Sequence, residues 1–362
     1  MAAALAGLVG VVLFLLHASQ RVPELDVLNV WALTGSPMVI CVMAFGMRAF
    51  IYGGALNEHR FLAEEGLAAQ NAWQSWAHRY LAVHASCVLL PDQLSADVLI
   101  KGADSLPSRR DQVRRITTLP AQEARATVAL HQVLSALESA LELLPAEREL
   151  RVTLLSDVDP DQHDALRASW EQCWIDVLRC QPPKTVNVAS NLSYGWIDET
   201  LKSASSSFEL IVVLQLHGDT DYSDGVAALL ISPDSLAQFG NLPVIGGLSR
   251  PMLLDTEHLE SELAQFFSTQ TIAVKATGLL AGSSEEEGLP GKVIALGGRQ
   301  NAALEAQHQW VYEFMCGKPG PLEHWVTTAL AVEMVRHRRQ PLLVLAEDQS
   351  HWISTVTTGE WA

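Results

Sequence analysis

The chain is 362 residues long, room for about two domains, and 49% of it is hydrophobic, which excludes a disordered chain. Its formal net charge of −17 excludes nucleic acid as the main partner, because phosphate recognition needs a basic field. The five cysteines (Cys41, Cys87, Cys173, Cys180, Cys316) are irregularly spaced and contain no Cys-x-x-Cys pair, which argues against a disulfide framework or a zinc site and for a reducing compartment.

In chain order, Met1 to Leu16 carries no charged side chain, and Val27 to Met47 is a second uncharged run of 21 residues ending at Arg48. About 20 apolar residues span a hydrocarbon core, so the second run predicts a transmembrane helix. The first reaches about the same length by using His17 to Ser19 at the interface. It lacks the basic start and small-residue cleavage site of a signal peptide, so an uncleaved anchor is the reading adopted. The short linker Gln20 to Asp26 predicts a helical hairpin. Arg48 and Arg60 outnumber Arg21, which places both ends in the cytoplasm and the anchor in the inner membrane.

Leu56 to Val83 reads as a helix with Trp73, Trp76, Ala77 and Tyr80 on one face. "KGADSLPSRRDQVRRI" then carries Arg109, Arg110, Arg114 and Arg115, the one basic cluster. It is a candidate contact for lipid headgroups or an acidic partner, or simply a solvated helix start. Ala121 to Leu144 is amphipathic, and Pro145 stops it.

From residue 149 the pattern alternates. "ELRVTLLSD", "KTVNVAS" and "FELIVVLQLHG" read as strands separated by helices, which predicts parallel pairing and helices on both faces of the sheet. "DGVAALLIS", "LPVIGGLSRPML" and "KVIALGG" read as further strands. A helix is expected over "DTEHLESELAQFF", a polar loop over "SSEEEGLPG" and another helix around Leu304 to Phe314. "PLEHWVTTALAVEMVRHRRQ" is a helix, followed by a closing hairpin. The expected organisation is residues 1–54 as two transmembrane helices, 55–148 as a helical connector with room for a strand, and 149–362 as an α/β domain. Its sheet is expected to be mixed and mostly parallel.

The chemical candidates are few. Asp157, Asp159 and Asp161 alternate like a calcium loop, but Gln162 stands where the loop needs glycine and Ala168 where it needs glutamate. Asp159 with Pro160 reads instead as a helix start. Gly297-Gly298 between an expected strand and helix could cradle a phosphate, although no dinucleotide or P-loop motif is present. No cofactor or metal is expected. Asp219, Asp221 and Asp224 precede the "DGVAALLIS" strand and read as the end of a loop. Cys316, in "FMCGKPGPLEHW", would be activated near a helix N-terminus, with His324 or His217 as base. Nothing in the sequence brings these three together, and a buried cysteine is the favoured reading.

The stretch from about Glu149 to the end resembles a degenerate thiolase-like (ketoacyl-synthase-like) domain. "DYSDGVAALLIS" is similar to the segment leading into one of that superfamily's strands, and "GPLEHWVTTALAVEMVRHRRQPLLVLAEDQSHWISTVTT" to its final helix and closing strands. Such domains, with N-terminal membrane segments, occur among the lipase-effector adaptors of proteobacterial type VI secretion. A working ketosynthase needs a cysteine on a strand-to-helix elbow and a histidine in an HGTGT-like loop, and neither motif is present. The resemblance therefore implies a membrane-anchored, non-enzymatic protein that binds a secretion effector or apparatus component. The alternatives are an acyl-transfer or thioester enzyme using Cys316 and a histidine, and a membrane-assembly subunit whose spans carry the function.

Overall fold

The computed structural model describes residues 1–21, 29–102, 106–120, 124–145, 147–203, 205–240, 242–283 and 288–360. It divides into two compact units, Met1–Gln74 and Ser75–Ala362.

The first unit contains helix α1 (Ala2–Ala18) and most of α2 (Val30–Ala77). Among the described residues α2 alone is long and apolar enough to cross a membrane, and α1, at 17 residues, is a shorter apolar helix. Residues 22–26 of the expected hairpin linker lie outside the described residues. The two helices pack closely at Gly10, where a Cβ would meet the Thr34 carbonyl at 2.7 Å. Pro37 lies inside α2 and leaves the Leu33 carbonyl without its helical donor. The Ser36 hydroxyl donates to that carbonyl at 2.9 Å, so the helix continues. The expected second span ends at Met47, but the helix runs on through a polar segment to Ala77.

The second unit begins earlier than the expected boundary at residue 149. Residues 80–83, read as the end of a helix, instead open strand β1 (Tyr80–Leu89). The run YLAVHASCVLL is apolar on both sides, and a strand between two neighbours accommodates it. The following elements are α3 (Ala96–Gly102), α4 (Arg125–Glu142), β2 (Leu150–Ser156), α5 (His163–Leu178), β3 (Thr185–Ala189), α6 (Trp196–Lys202), β4 (Phe208–Gln215) and β5 (Gly225–Pro233). Then come α7 (Asp234–Gly240), β6 (Gly246–Ser249), β7 (Met252–Leu254), α8 (Leu259–Thr269), β8 (Gly278–Ala281), α9 (Leu289–Arg299), β9 (Gln309–Val311), α10 (Tyr312–Cys316), α11 (Glu323–Arg338), β10 (Leu342–Glu347) and β11 (His351–Thr358).

Two expected elements change type. "KVIALGG" is not a strand but part of α9, with Pro290 in its first turn; Val293, Ile294 and Gly297 are buried while Lys292 and Arg299 are exposed. A short apolar run does not distinguish the two periods, and here the 3.6-residue one holds. The expected helix around Leu304 to Phe314 resolves into β9 and α10. β8, four residues long, carries too short a pattern to read. Residues 284–287 of the expected polar loop lie outside the described residues.

The strand order is β3-β2-β4-β5-β1-β6-β11-β10-β8-β9, with β7 paired to β11. β2 pairs in parallel with β3 and β4, and β8 with β9 and β10; the other pairings are antiparallel. This is a mixed sheet with its parallel part confined to the two flanks. Read outward from the centre, β1-β5-β4-β2-β3 and β6-β11-β10-β8-β9 have the same connectivity and the same pairing directions. The unit is therefore an internal repeat about a pseudo-two-fold axis between β1 and β6.

The alternation of side chains sorts the repeat into layers. Leu210 and Val212 enter one outer core with α4 and α5, while Ile211 and Val213 face a central core. In the second repeat Leu343 and Leu345 enter the other outer core with α8 and α9, while Leu342 and Val344 face the central one. α11 fills that centre, packing on strands of both repeats. It is buried from Glu323 to Val332, because Trp-Val-Thr-Thr-Ala-Leu-Ala-Val offers no polar stripe to solvent. Replacing Leu330, 1% exposed, with alanine is expected to cost about 2–5 kcal/mol. Ile175→Ala, at a 48% exposed position, should change stability little. Urea midpoints of the full chain in detergent, followed by tryptophan fluorescence, compare the two.

Candidate functional site

The acids before β5 have separate environments. Asp219 and Asp221 are exposed, whereas Asp224 is fully buried. Asp224 accepts from Arg115 at 2.7 Å, from the Ile116 backbone N–H at 2.8 Å and from Arg125. Asp92 likewise takes Arg114, at 2.7 Å, and Arg109, at 3.0 Å. Arg109 also donates to the Met315 carbonyl, and the Arg110 guanidinium lies over the Phe314 ring. This basic segment, a candidate contact for lipid or an acidic partner or else a solvated helix start, meets the chain's own acids through Arg109, Arg114 and Arg115. It straps the β4–β5 turn and α10 together: Lys318 N donates to the Gln112 carbonyl and Ser223 N to the Lys318 carbonyl, both at 2.8 Å.

Cys316, His324 and His217 occupy three different surroundings. Cys316 closes α10 at its C-terminal end, the opposite of the activating N-terminal position, and Gly317 follows with φ 90°. Its thiol is fully buried, and burial pushes it far above the usual range. The His324 Nε2 donates to the Leu192 carbonyl at 3.1 Å, and burial lowers its pKa. His217 sits beyond β4, where its Nδ1 and backbone N–H both donate to Asp157, and that carboxylate raises the imidazole's pKa. The elbow from β3 into α6 carries Leu192, Ser193, Tyr194 and Gly195, without a cysteine. Gly297 and Gly298 lie in the last turn of α9 and offer no helix N-terminus to a phosphate. Asp159 precedes a short 3₁₀ turn, and its side chain makes no capping bond.

The structure instead gathers a group that the sequence reading passed over. A cavity of about 390 Å³ opens where the β3–α6 loop, the α10–α11 loop and the β10–β11 turn meet. Ser190, Asn191, Gly320, Glu323, Glu347 and Asp348 line it. Glu323 is 3% exposed, its Oε1 accepts from the Thr327 hydroxyl, and its carboxylate lies over Gly282, where a Cβ would overlap both oxygens. Burial pushes this carboxyl up to about 7, with Glu347 adding to the shift. The signal was present in the sequence: an acid at the head of a helix with no polar face has to be buried with it. A larger cleft, about 700 Å³, near Trp174 and Leu178 gathers none of the candidate residues.

No family model and no curated protein matches the chain. Solved structures do. One is a type II polyketide synthase acyl-carrier protein in complex with its ketosynthase bound to the hexaketide. It is 9% identical, with 78% of this chain and 99% of that chain covered, at a TM-score of 0.50. The fold is thiolase-like. Two further ketosynthase-fold structures have lower TM-scores. They are an oxazolomycin ketosynthase domain from Streptomyces albus (14% identity, 78% and 97% covered, TM-score 0.49) and a 3-oxoacyl-[acyl-carrier-protein] synthase III from Aquifex aeolicus (12%, 76% and 99%, 0.44). At these identities the likeness concerns the fold alone.

Two outcomes follow. Removing the Asp224 carboxylate leaves Arg115 and Arg125 without their shared partner, so Asp224→Ala should destabilise the chain by about 3–5 kcal/mol, against almost nothing for Asp221→Ala. For Glu323, the unfolded carboxyl ionises near 4.5 and the folded one near 7. The folded state therefore holds the extra proton between those values, so its contribution is full below about pH 4.5 and is lost as pH rises to about 7. Glu323→Gln should lack this decline and exceed the wild type by on the order of 3 kcal/mol at pH 8, as read from urea midpoints across pH.

Proposed function

We propose that the chain is a membrane-anchored, non-enzymatic adaptor whose thiolase-like unit binds a protein partner. The burial of Cys316 at the C-terminal end of α10 carries this reading. A thiol whose pKa is pushed far above neutral pH and which is closed to solvent is a poor nucleophile. The long apolar helix α2 supports the anchor. The partner proposed is a type VI secretion effector or apparatus component, on the resemblance of the "DYSDGVAALLIS" and "GPLEHWVTTALAVEMV" segments. The inner membrane, with the thiolase-like unit in the cytoplasm, is proposed on the Arg48 and Arg60 bias.

Crosslinking in native membranes followed by mass spectrometry tests the reading. A secreted effector or a secretion-apparatus component should be recovered with the wild type and equally with Cys316→Ala. Recovery of neither overturns the adaptor. Loss of the partner in Cys316→Ala, together with rapid alkylation of Cys316 in the wild type, would favour thioester chemistry instead.

A further inference from the structure

A cleft of about 700 Å³ opens at the other end of β3 from the Glu323 cavity. The C-terminal ends of α4 and α5 and the starts of β2 and β3 enclose it. Leu141, Leu144, Trp174 and Leu178 give it an apolar floor, with Leu141 8% and Trp174 4% exposed. Its volume lies in the range of small organic ligands.

That floor carries an unmet hydrogen-bond need. The Trp174 indole Nε1–H is buried and has no acceptor among the described residues. Trp170, one turn earlier on α5 with its ring centroid 5.4 Å away, is fully buried and lacks an acceptor too. Buried indole N–H groups usually find a partner, and leaving one without is costly. An indole nitrogen is a donor only, so the group missing at this wall is an acceptor.

The rim narrows the kind of acceptor. Arg148 and Lys184 line it and form no ion pair among the described residues. Glu149 is taken by Arg151 at 3.0 Å and by the Thr185 hydroxyl at 3.1 Å. Glu142 and Glu147 also stand there and offset the two cations, so net charge selects nothing. The indole does select. An ammonium group brings it no acceptor, whereas a carboxylate brings two oxygens that only accept, and these suit the rim cations as well.

We propose that this cleft binds an organic acid with a bulky apolar body. The body lies against Leu141, Leu144 and Leu178, and the carboxylate lies between Trp174 and the Arg148 and Lys184 side chains. The site needs neither a protein partner nor the membrane, so it goes beyond the adaptor reading and is tested separately from it.

Isothermal titration of the full chain in detergent, corrected for detergent alone, tests it with naphthylacetate and its charge-reversed analogue naphthylethylamine. Naphthylacetate should saturate one site, and the amine should bind about tenfold more weakly or not at all. Trp174→Phe keeps the apolar wall and removes the donor, and should weaken naphthylacetate about tenfold. Arg148→Gln with Lys184→Gln, both at exposed positions, should weaken it about threefold or more. Lys292→Gln, an exposed cation on α9, should bind as the wild type does. The proposal is overturned if naphthylacetate does not saturate, if the amine binds as tightly, or if Trp174→Phe, folded by circular dichroism, binds as the wild type. Should Trp174→Phe fail to fold, unchanged binding in the chain lacking both cations overturns it.

Discussion

Helix α11 is enclosed on every side from Glu323 to Val332, and most of the second unit is arranged to enclose it. A helix without a polar stripe must exclude water around its whole circumference. One sheet face cannot do that; strands from two repeats can, which is why the central core draws on β4, β5, β10 and β11 together. The same enclosure dictates what happens to polar groups on the helix. Thr328 bonds back to the His324 carbonyl at 2.7 Å, His324 finds the Leu192 carbonyl, and Glu323 is left with one hydroxyl and a cavity. The chemistry of the cavity is thus a by-product of how the core is closed.

The outer layers are held by a different device. The described residues 106–120, between α3 and α4, contain no helix or strand, and Asp92 and Asp224 anchor that stretch. Each of these acids takes two arginines from it or beside it, in partly buried geometry where charge-assisted hydrogen bonds keep more of their strength than on an exposed surface. The most basic segment of an acidic protein is therefore used for internal attachment.

Much of this was legible. The alternation after residue 149, the buried strands Phe208–Gln215 and Gly225–Pro233, the helix at residues 323–338 and the closing hairpin are long or strongly patterned, and they stand where the sequence places them. The similarity of "DGVAALLIS" and the final helix to a thiolase-like domain agrees with the fold found. What was not legible depends on neighbours far away in sequence. β1 reads as the end of a helix until β5 and β6 are known to flank it, and the α9 segment reads as a strand until α8 is known to cover its apolar side. Cys316 was legible as a candidate and as a buried residue, but its place at the wrong end of a helix was not. Glu323 stood beside His324 in the sequence and was overlooked because a single acid carries no spacing pattern.

The internal repeat has a consequence for the cavity. The β3–α6 loop of the first repeat and the α10–α11 loop of the second are counterparts, and they meet there. In a homodimer, a recess on the two-fold axis must present every group twice, so an acid on one wall implies an acid on the other. A single chain carrying both copies is released from that rule. Here the first repeat contributes Ser190 and Asn191, which are neutral, and the second contributes Glu323, Glu347 and Asp348. The recess consequently draws all three of its acids from one repeat, an asymmetry that a symmetric dimer could not have.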